Sequence, residues 1–493
     1  MRVKLITILI GVHTLVFSQT PDSVRSEADV QDKLSYFIKV VERLKEKANT
    51  PGLALAVVYD NRLILKKTWG YRNLVGKLPV TDSTLFEIGS LGKAFTGVLM
   101  AQLVEAGELS WQDKVIRHIP EFKLADDYAT EHATVQDLLT HRVNLYEHYF
   151  MNYGPVFPMQ ELLGRLPHMS FKGSFRADFS YSNYMYAVAG ILQERVTQKA
   201  WGSLIKTYIF ERLGMTDTKT DFNDFMESRN RAISYNADGR QIIKHYNIES
   251  VAPAGCITSS INDMGKWLLV FTNGGNHNHK PFIAKEQFDY ITSPLTIRYP
   301  EDKQAYGIGW NVALENGNIF HNGSTAGQRS RLTFNLEKGY GIVVLANQQS
   351  VISNAIDYYA TEIFLNNKLE VLEEIDVIVE KGGQFSNLKQ QIRSISNKDL
   401  LDRLTDLAGR YTHPAYGEIK ISRPKEDQFD FKYYDFEGTV GHKEKMEFTA
   451  FLNFDIGPEE IDFAVKEENE SIDTLIVKFP YSKPMEFVKH RGQ

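Results

Sequence analysis

The chain has 493 residues, of which 43% are hydrophobic and 24% charged, and its formal net charge is −6. That length exceeds one ordinary domain, and the composition is that of a globular protein. The acidic balance and the lack of any basic block exclude a nucleic-acid footprint, and the lone cysteine, Cys256, excludes an internal disulfide and reads as a small buried residue.

The elements follow in chain order. Arg2 and Lys4 precede an apolar stretch from Leu5 to Phe17, with small residues Val16 and Ser18 before Gln19. This pattern predicts a cleaved secretory signal over residues 1–18 and a periplasmic product, with an uncleaved anchor as the alternative. No later segment is long and apolar enough to span a membrane. Leu34, Phe37, Ile38, Val41 and Leu44 predict a helix over 31–47. Leu53–Tyr59 and Leu63–Trp69, joined by Asp60-Asn61-Arg62, predict a hairpin. A core helix follows Ser90 and ends near Gly107; Thr134 and Asp137 form the start signal of another. Helices are expected over 184–213 and 262–273, then strands at 307–312, 319–321, 331–336 and 341–347, then a helix over 351–365. Strands at both ends with helices between predict an α/β (α+β) fold: a mixed, antiparallel sheet flanked by helices, with a helical insert. Residues 368–405 read as a linker, and 406–490 as a small all-β barrel or sandwich with strands at 418–422, 428–433, 445–452, 461–465 and 474–479. The barrel reads as separable from what precedes it.

The chemistry starts at Ser90 and Lys93. A serine hydroxyl is a poor nucleophile until a base takes its proton, and three residues on a helix place Lys93 one turn away. Burial would lower the lysine pKa, as a proton acceptor requires. The spacing also occurs at Ser203/Lys206, Ser386/Lys389 and Ser422/Lys425, so it gains meaning only from its company. Tyr181 and Asn183 supply a phenol and an amide; nearby cations would make the phenol acidic enough to act as a base. His321-Asn322-Gly323-Ser324 ends a predicted strand, where small residues admit a ligand and the Ser90 and Ser324 amides are placed to hold an oxyanion. His277-Asn278-His279 reads as a solvated loop, so no metal and no cofactor is expected.

Ser-x-x-Lys on a helix, Tyr-x-Asn about 90 residues later and His-x-Gly on a late strand resemble the serine β-lactamase and penicillin-binding-protein superfamily, closest to its class C-like and esterase branch. Thr134–His141, Pro253–Trp267 and Tyr306-Gly307-Ile308-Gly309-Trp310 extend the resemblance over residues 30–367. Residues 406–490 resemble a β-barrel module found behind such domains. The resemblance implies a nucleophile at Ser90, proton transfer by Lys93 and Tyr181, and substrate contacts from Asn183, His321, Gly323 and Ser324. It implies small-molecule or peptide substrates: esters, amides or D-amino-acid peptides, with β-lactams as weak ones. His321 replaces the usual lysine, which weakens the hold on a substrate carboxylate. Two other departures, Thr140-His141-Arg142-Val143-Asn144 and Ala254-Gly255-Cys256, are expected at the cleft rim. The competing reading is a non-catalytic sensor that uses the same pocket.

Overall fold

The computed structural model describes residues 27–373, 375, 395, 398–454, 457–468 and 471–490. The predicted signal, 1–18, and most of 374–397 lie outside the described residues. Helix α1 (Glu27–Lys47) turns Leu34, Phe37, Val41 and Leu44 inward. Strands β1 (Gly52–Tyr59) and β2 (Arg62–Asn73) form the expected hairpin. Its tight turn is possible because Asp60 and Asn61 both take positive φ, 48° and 58°, which these side chains tolerate better than most. The sheet adds β3 (Leu78–Pro79), β4 (Thr296–Tyr299), β5 (Gln304–Tyr306), β6 (Asn311–Ala313), β7 (Ile319–Thr325), β8 (Gln328–Asn335) and β9 (Tyr340–Ala346).

The strand order is β4-β5-β6-β7-β8-β9-β1-β2-β3, with every neighbouring pair antiparallel. The early hairpin thus pairs directly with the late one, and β1 and β9 are buried along their whole length. One face is covered by α1 and by α6 (Ile352–Phe364). The other carries the helical insert, including α2 (Gly92–Glu105), α3 (Val135–Leu139), α4 (Asn183–Thr197) and α5 (Ile261–Thr272).

Residues 307–310 differ from the expected strand. Gly309 has φ 78°, and a Cβ there would lie 2.8 Å from the Ala94 Cα, so the chain bends to pack backbone on α2.

The C-terminal part is a closed eight-stranded barrel: β10 (Gly409–His413), β11 (Gly417–Lys425), β12 (Gln428–Tyr433), β13 (Phe436–Glu444), β14 (Glu447–Phe454), β15 (Gly457–Glu468), β16 (Ser471–Lys478) and β17 (Met485–Lys489). Pairing of β10 with β17 closes it. It is not a loosely tethered module. Phe150 packs against Phe436 and Phe479, each at 5.6 Å between ring centroids. Tyr246 stacks on Phe436, Arg165 donates to the Ala415 carbonyl at 2.6 Å, and Lys244 pairs with Asp435 at 2.8 Å. One continuous apolar core runs across the junction.

Candidate active site

Ser90 sits in a single tight turn, Gly89–Leu91, that leads straight into α2. Gly89 makes this turn with φ 52°, and a Cβ on it would fall 2.7 Å from the Ser324 nitrogen. The turn therefore lies against β7, where Gly323 is equally confined: a Cβ there would meet the Ile88 carbonyl. Helix α2 is buried from Gly92 to Leu103, which places the Lys93 amine in the interior.

The Lys93 Nζ has three neighbours: Ser90 Oγ at 3.1 Å, Asn183 Oδ1 at 2.6 Å and the Ala254 carbonyl at 2.9 Å. It also lies 4.7 Å from the centre of the Tyr181 ring. Burial drives its pKa well below the usual lysine value, with Glu147 opposing the shift. A neutral amine has two protons, matching the Asn183 and Ala254 oxygens, and its lone pair then faces Ser90. Tyr181 donates to Ser90 Oγ at 2.8 Å.

Tyr181 differs from expectation. Burial raises its pKa well above the ordinary phenol value, Tyr306 and Glu147 push the same way, and the Ser90 hydrogen bond and Arg298 only oppose. The phenol is thus held protonated, as a donor and not as a resting base.

The Tyr181–Asn183 segment is fixed by His141, an unpredicted participant. With φ 60°, His141 accepts from the Ser182 amide at 3.0 Å through Nδ1, while its carbonyl accepts from Ser180 at 2.9 Å. Its ring lies 4.5 Å from that of Tyr181. Ser182 then caps α4 by accepting from Met185, so Asn183 opens that helix beside Lys93. His141 and Tyr306 both fall in stretches that carried the resemblance; their packing on each other beside Tyr181 and His321 was not visible from spacing.

His321 is brought to the group but has other partners than expected. Its Nδ1 lies 2.7 Å from the Asn322 carbonyl and its Nε2 3.1 Å from the Tyr306 hydroxyl. A carbonyl only accepts, so Nδ1 carries the proton and Nε2 accepts from Tyr306. Burial, with Lys93 adding to it, lowers the ring's pKa to about 3. The imidazole is neutral and both nitrogens are engaged. The two departures from the usual motifs also divide. Arg142 lines the cleft, whereas Ala254 and Cys256 are buried, flanking Gly255, which packs on Gly89 next to Ser90.

A cleft of about 880 Å³ opens beside Tyr181. Glu147, Arg298 and, from the barrel, Tyr481 also line it. Burial raises the Glu147 pKa while Lys93 and Arg298 pull it down. Among the described residues, no cluster of three or more His, Cys, Asp or Glu is placed to hold a metal ion, and no helix is long and apolar enough to cross a membrane.

The motif order brings a lysine amine and a phenol together on the Ser90 hydroxyl, as expected, although the phenol is protonated. A family model described as Beta-lactamase matches residues 37–362. The chain belongs to the beta-lactamase family. It falls in the beta-lactamase-like serine hydrolase superfamily, whose curated members include Protein flp of Staphylococcus aureus, 25% identical over 337 residues, 67% of this chain and 66% of that protein. The match thus spans slightly under two thirds of that relative's length. Another member is the unguisins hydrolase ungD' of Aspergillus campestris, 24% identical over 425 residues, 78% of this chain and 77% of that enzyme. A solved structure, the octameric penicillin-binding protein homologue from Pyrococcus abyssi, has the same fold, with a TM-score of 0.61 at 22% identity, over 94% of this chain and 100% of that one.

Proposed function

We propose that this protein is a serine hydrolase that works through an acyl-enzyme on Ser90, with esters, amides or D-amino-acid peptides as substrates and β-lactams as poor ones. The observation that carries the reading is the double contact on Ser90 Oγ, from Lys93 at 3.1 Å and Tyr181 at 2.8 Å. Neutral Lys93 takes the hydroxyl proton as Oγ attacks the substrate carbonyl. The carbonyl oxygen becomes an oxyanion, for which the Ser90 and Ser324 amides are the candidate donors. As the C–O or C–N bond breaks, Tyr181 gives its proton to the leaving group and regains one from Lys93. Water then attacks the ester and restores Ser90. The Asn183 amide nitrogen is left to meet a substrate carbonyl, since its oxygen already serves Lys93. His321 acts as a positioning residue, through Tyr306. Export is proposed from the N-terminal sequence alone.

The test is intact-mass spectrometry after treatment with a fluorophosphonate, coupled to turnover of a panel of aryl esters and D-alanyl amides. One adduct on Ser90, with turnover lost by several powers of ten in Ser90→Ala, is expected. Labelling without turnover of any substrate would favour the sensor. Turnover retained in Ser90→Ala would remove the nucleophile assignment.

A further inference from the structure

Three residues before Ser90 the chain buries a carboxylate that takes no part in the chemistry described above. Glu87 lies in the short strand Phe86–Glu87, paired with Thr258–Ser259. Its Oε2 accepts from Thr325 Oγ1 at 3.3 Å and lies 2.9 Å from His245 Nδ1. A carboxylate only accepts, so Nδ1 carries the shared proton. The Glu87 amide donates to Gln328 Oε1 at 3.0 Å, and Gln328 Nε2 donates to Ser234 Oγ at 3.1 Å. Ser234 Oγ in turn lies 3.3 Å from His245 Nδ1, so the ring of contacts closes on itself. All of these side chains are buried.

The place of this network gives it a task. Thr325 follows Ser324 at the end of β7, and Glu87 stands just before the turn that carries Ser90. The two backbones touch there: a Cβ on Gly89 would fall 2.7 Å from the Ser324 nitrogen, and one on Gly323 would meet the Ile88 carbonyl. Ser330 Oγ also donates to the Ile88 carbonyl, at 2.8 Å. Thr325, Gln328 and Ser330, from β7 and β8, thus pin the approach to Ser90. Burying an ionic pair costs desolvation, and apolar packing would join the layers as firmly. Directed hydrogen bonds add a fixed spacing between backbones.

The other end of the network is held by the barrel. Lys244 pairs with Asp435 at 2.8 Å, and Tyr246 stacks on Phe436 at 5.8 Å between ring centroids. Asp435 and Phe436 stand where β12 turns into β13. His245 is therefore the middle one of three residues whose neighbours grip a single barrel turn.

We propose that Glu87 is a positioning residue. Clamped between Thr325 and His245, it sets the spacing of the Ser90 and Ser324 amides around the oxyanion, and the barrel steadies the clamp through Lys244 and Tyr246. The proposal rests on the hydrolase reading for the identity of those two donors.

The test uses the full-length protein with fluorophosphonate on Ser90. The phosphoryl oxygen of the adduct takes the place of the oxyanion, so its phosphorus NMR resonance reports on the donors. Turnover of 4-nitrophenyl acetate is measured beside it. Glu87→Leu should move the resonance and lower kcat roughly tenfold to a hundredfold, with KM little changed. Thr325→Val, which removes one hydroxyl at constant shape, should do the same to a lesser degree. Glu87→Gln can still accept from both partners and should recover most of the loss. Tyr246→Leu should lower kcat in the parent but add nothing in Glu87→Leu, because both act through one clamp. Near-UV circular dichroism checks each fold, and Thr325→Val decides if Glu87→Leu does not fold. An unmoved resonance with unchanged kcat in either folded variant would overturn the proposal. So would a Glu87→Gln protein as impaired as Glu87→Leu. A Tyr246→Leu loss that multiplies with that of Glu87→Leu would remove the barrel from it. If the parent forms the adduct but turns over no ester, the hydrolase reading falls, and the resonance still tests the clamp.

Discussion

Acid should destabilise this protein through His148, at the junction of barrel and catalytic domain. The ring is fully buried, with Nδ1 2.7 Å from the Tyr416 hydroxyl and Nε2 3.3 Å from the Ser170 carbonyl. The carbonyl fixes the proton on Nε2, so Nδ1 accepts from Tyr416 and the ring is neutral. Burial lowers its pKa to about 4, the Ser170 bond opposing and His413 reinforcing the shift. In the unfolded chain the value is about 6.5. Between the two values the unfolded state binds more protons, so the stabilisation is complete above pH ~6.5 and is lost as pH falls toward ~4. A gap of roughly 2.5 units at 1.36 kcal/mol each corresponds to about 3 kcal/mol. Glutamine at this position can accept from Tyr416 and donate to Ser170 without titrating. His148→Gln should therefore flatten the stability–pH curve by about 3 kcal/mol between pH 6.5 and 4, whatever its offset at neutral pH. His321, also depressed, to about 3, is present in both proteins and cancels in the difference; His413, depressed to about 4 mainly by its own burial, keeps that larger share in both and loses only its smaller coupling to His148. Guanidinium unfolding across that range provides the assay. All five tryptophans lie between 69 and 310 and report the catalytic domain, while far-ultraviolet circular dichroism also follows the barrel. An acid dependence in His148→Gln identical to the parent's would refute the reasoning.

Three further outcomes are expected. Lys93→Met and Tyr181→Phe should each reduce the acylation rate strongly, and the double variant should lose much less than the product of the two, because both serve one proton path; rapid-quench labelling of Ser90 checks this. Gly89→Ala should lose most activity and about 1–2 kcal/mol of stability, since its Cβ would face the Ser324 nitrogen at 2.7 Å with φ at 52°; a denaturation curve and an ester assay check it. Truncation after residue 367 should give an aggregating product, because it strips the cover from Phe150 and Tyr246 and leaves His148 without Tyr416; a monodisperse, Ser90-reactive fragment on size exclusion would show that the barrel is dispensable.

The local signals that physics makes short-range were legible in the sequence. Thr134 and Asp137 do form a reciprocal cap. Gly107, with φ 75°, does end α2, its amide and that of Glu108 returning to the carbonyls of Val104 and Leu103. The motif order brought Ser90, Lys93, Tyr181 and Asn183 together across the fold. Three kinds of feature were not legible. The Gly307–Trp310 bend follows from close packing on α2, which no local pattern encodes. Barrel strands β10, β13 and β17 were missed; β13 breaks its alternation with Gly438 and Gly441, and β10 and β17 are short. Glu147, Arg298 and Tyr481 come from separate segments that share nothing but the cleft they line. The protonation of Tyr181 depends on burial, and spacing alone invited the opposite sign.

Strand β4 has one hydrogen-bonded neighbour, β5, and stands at the open margin of the nine-stranded sheet. Ile297 is 54% exposed and Tyr299 39% exposed, so substitutions here disturb little of the interior. Ser90, Lys93 and Tyr181 sit where almost any change is costly, between packed helices and the sheet. The outer wall of the cleft, residues 295–300, sits where change is cheap. The periphery of the sheet is thus an adjustable dial mounted on a fixed engine.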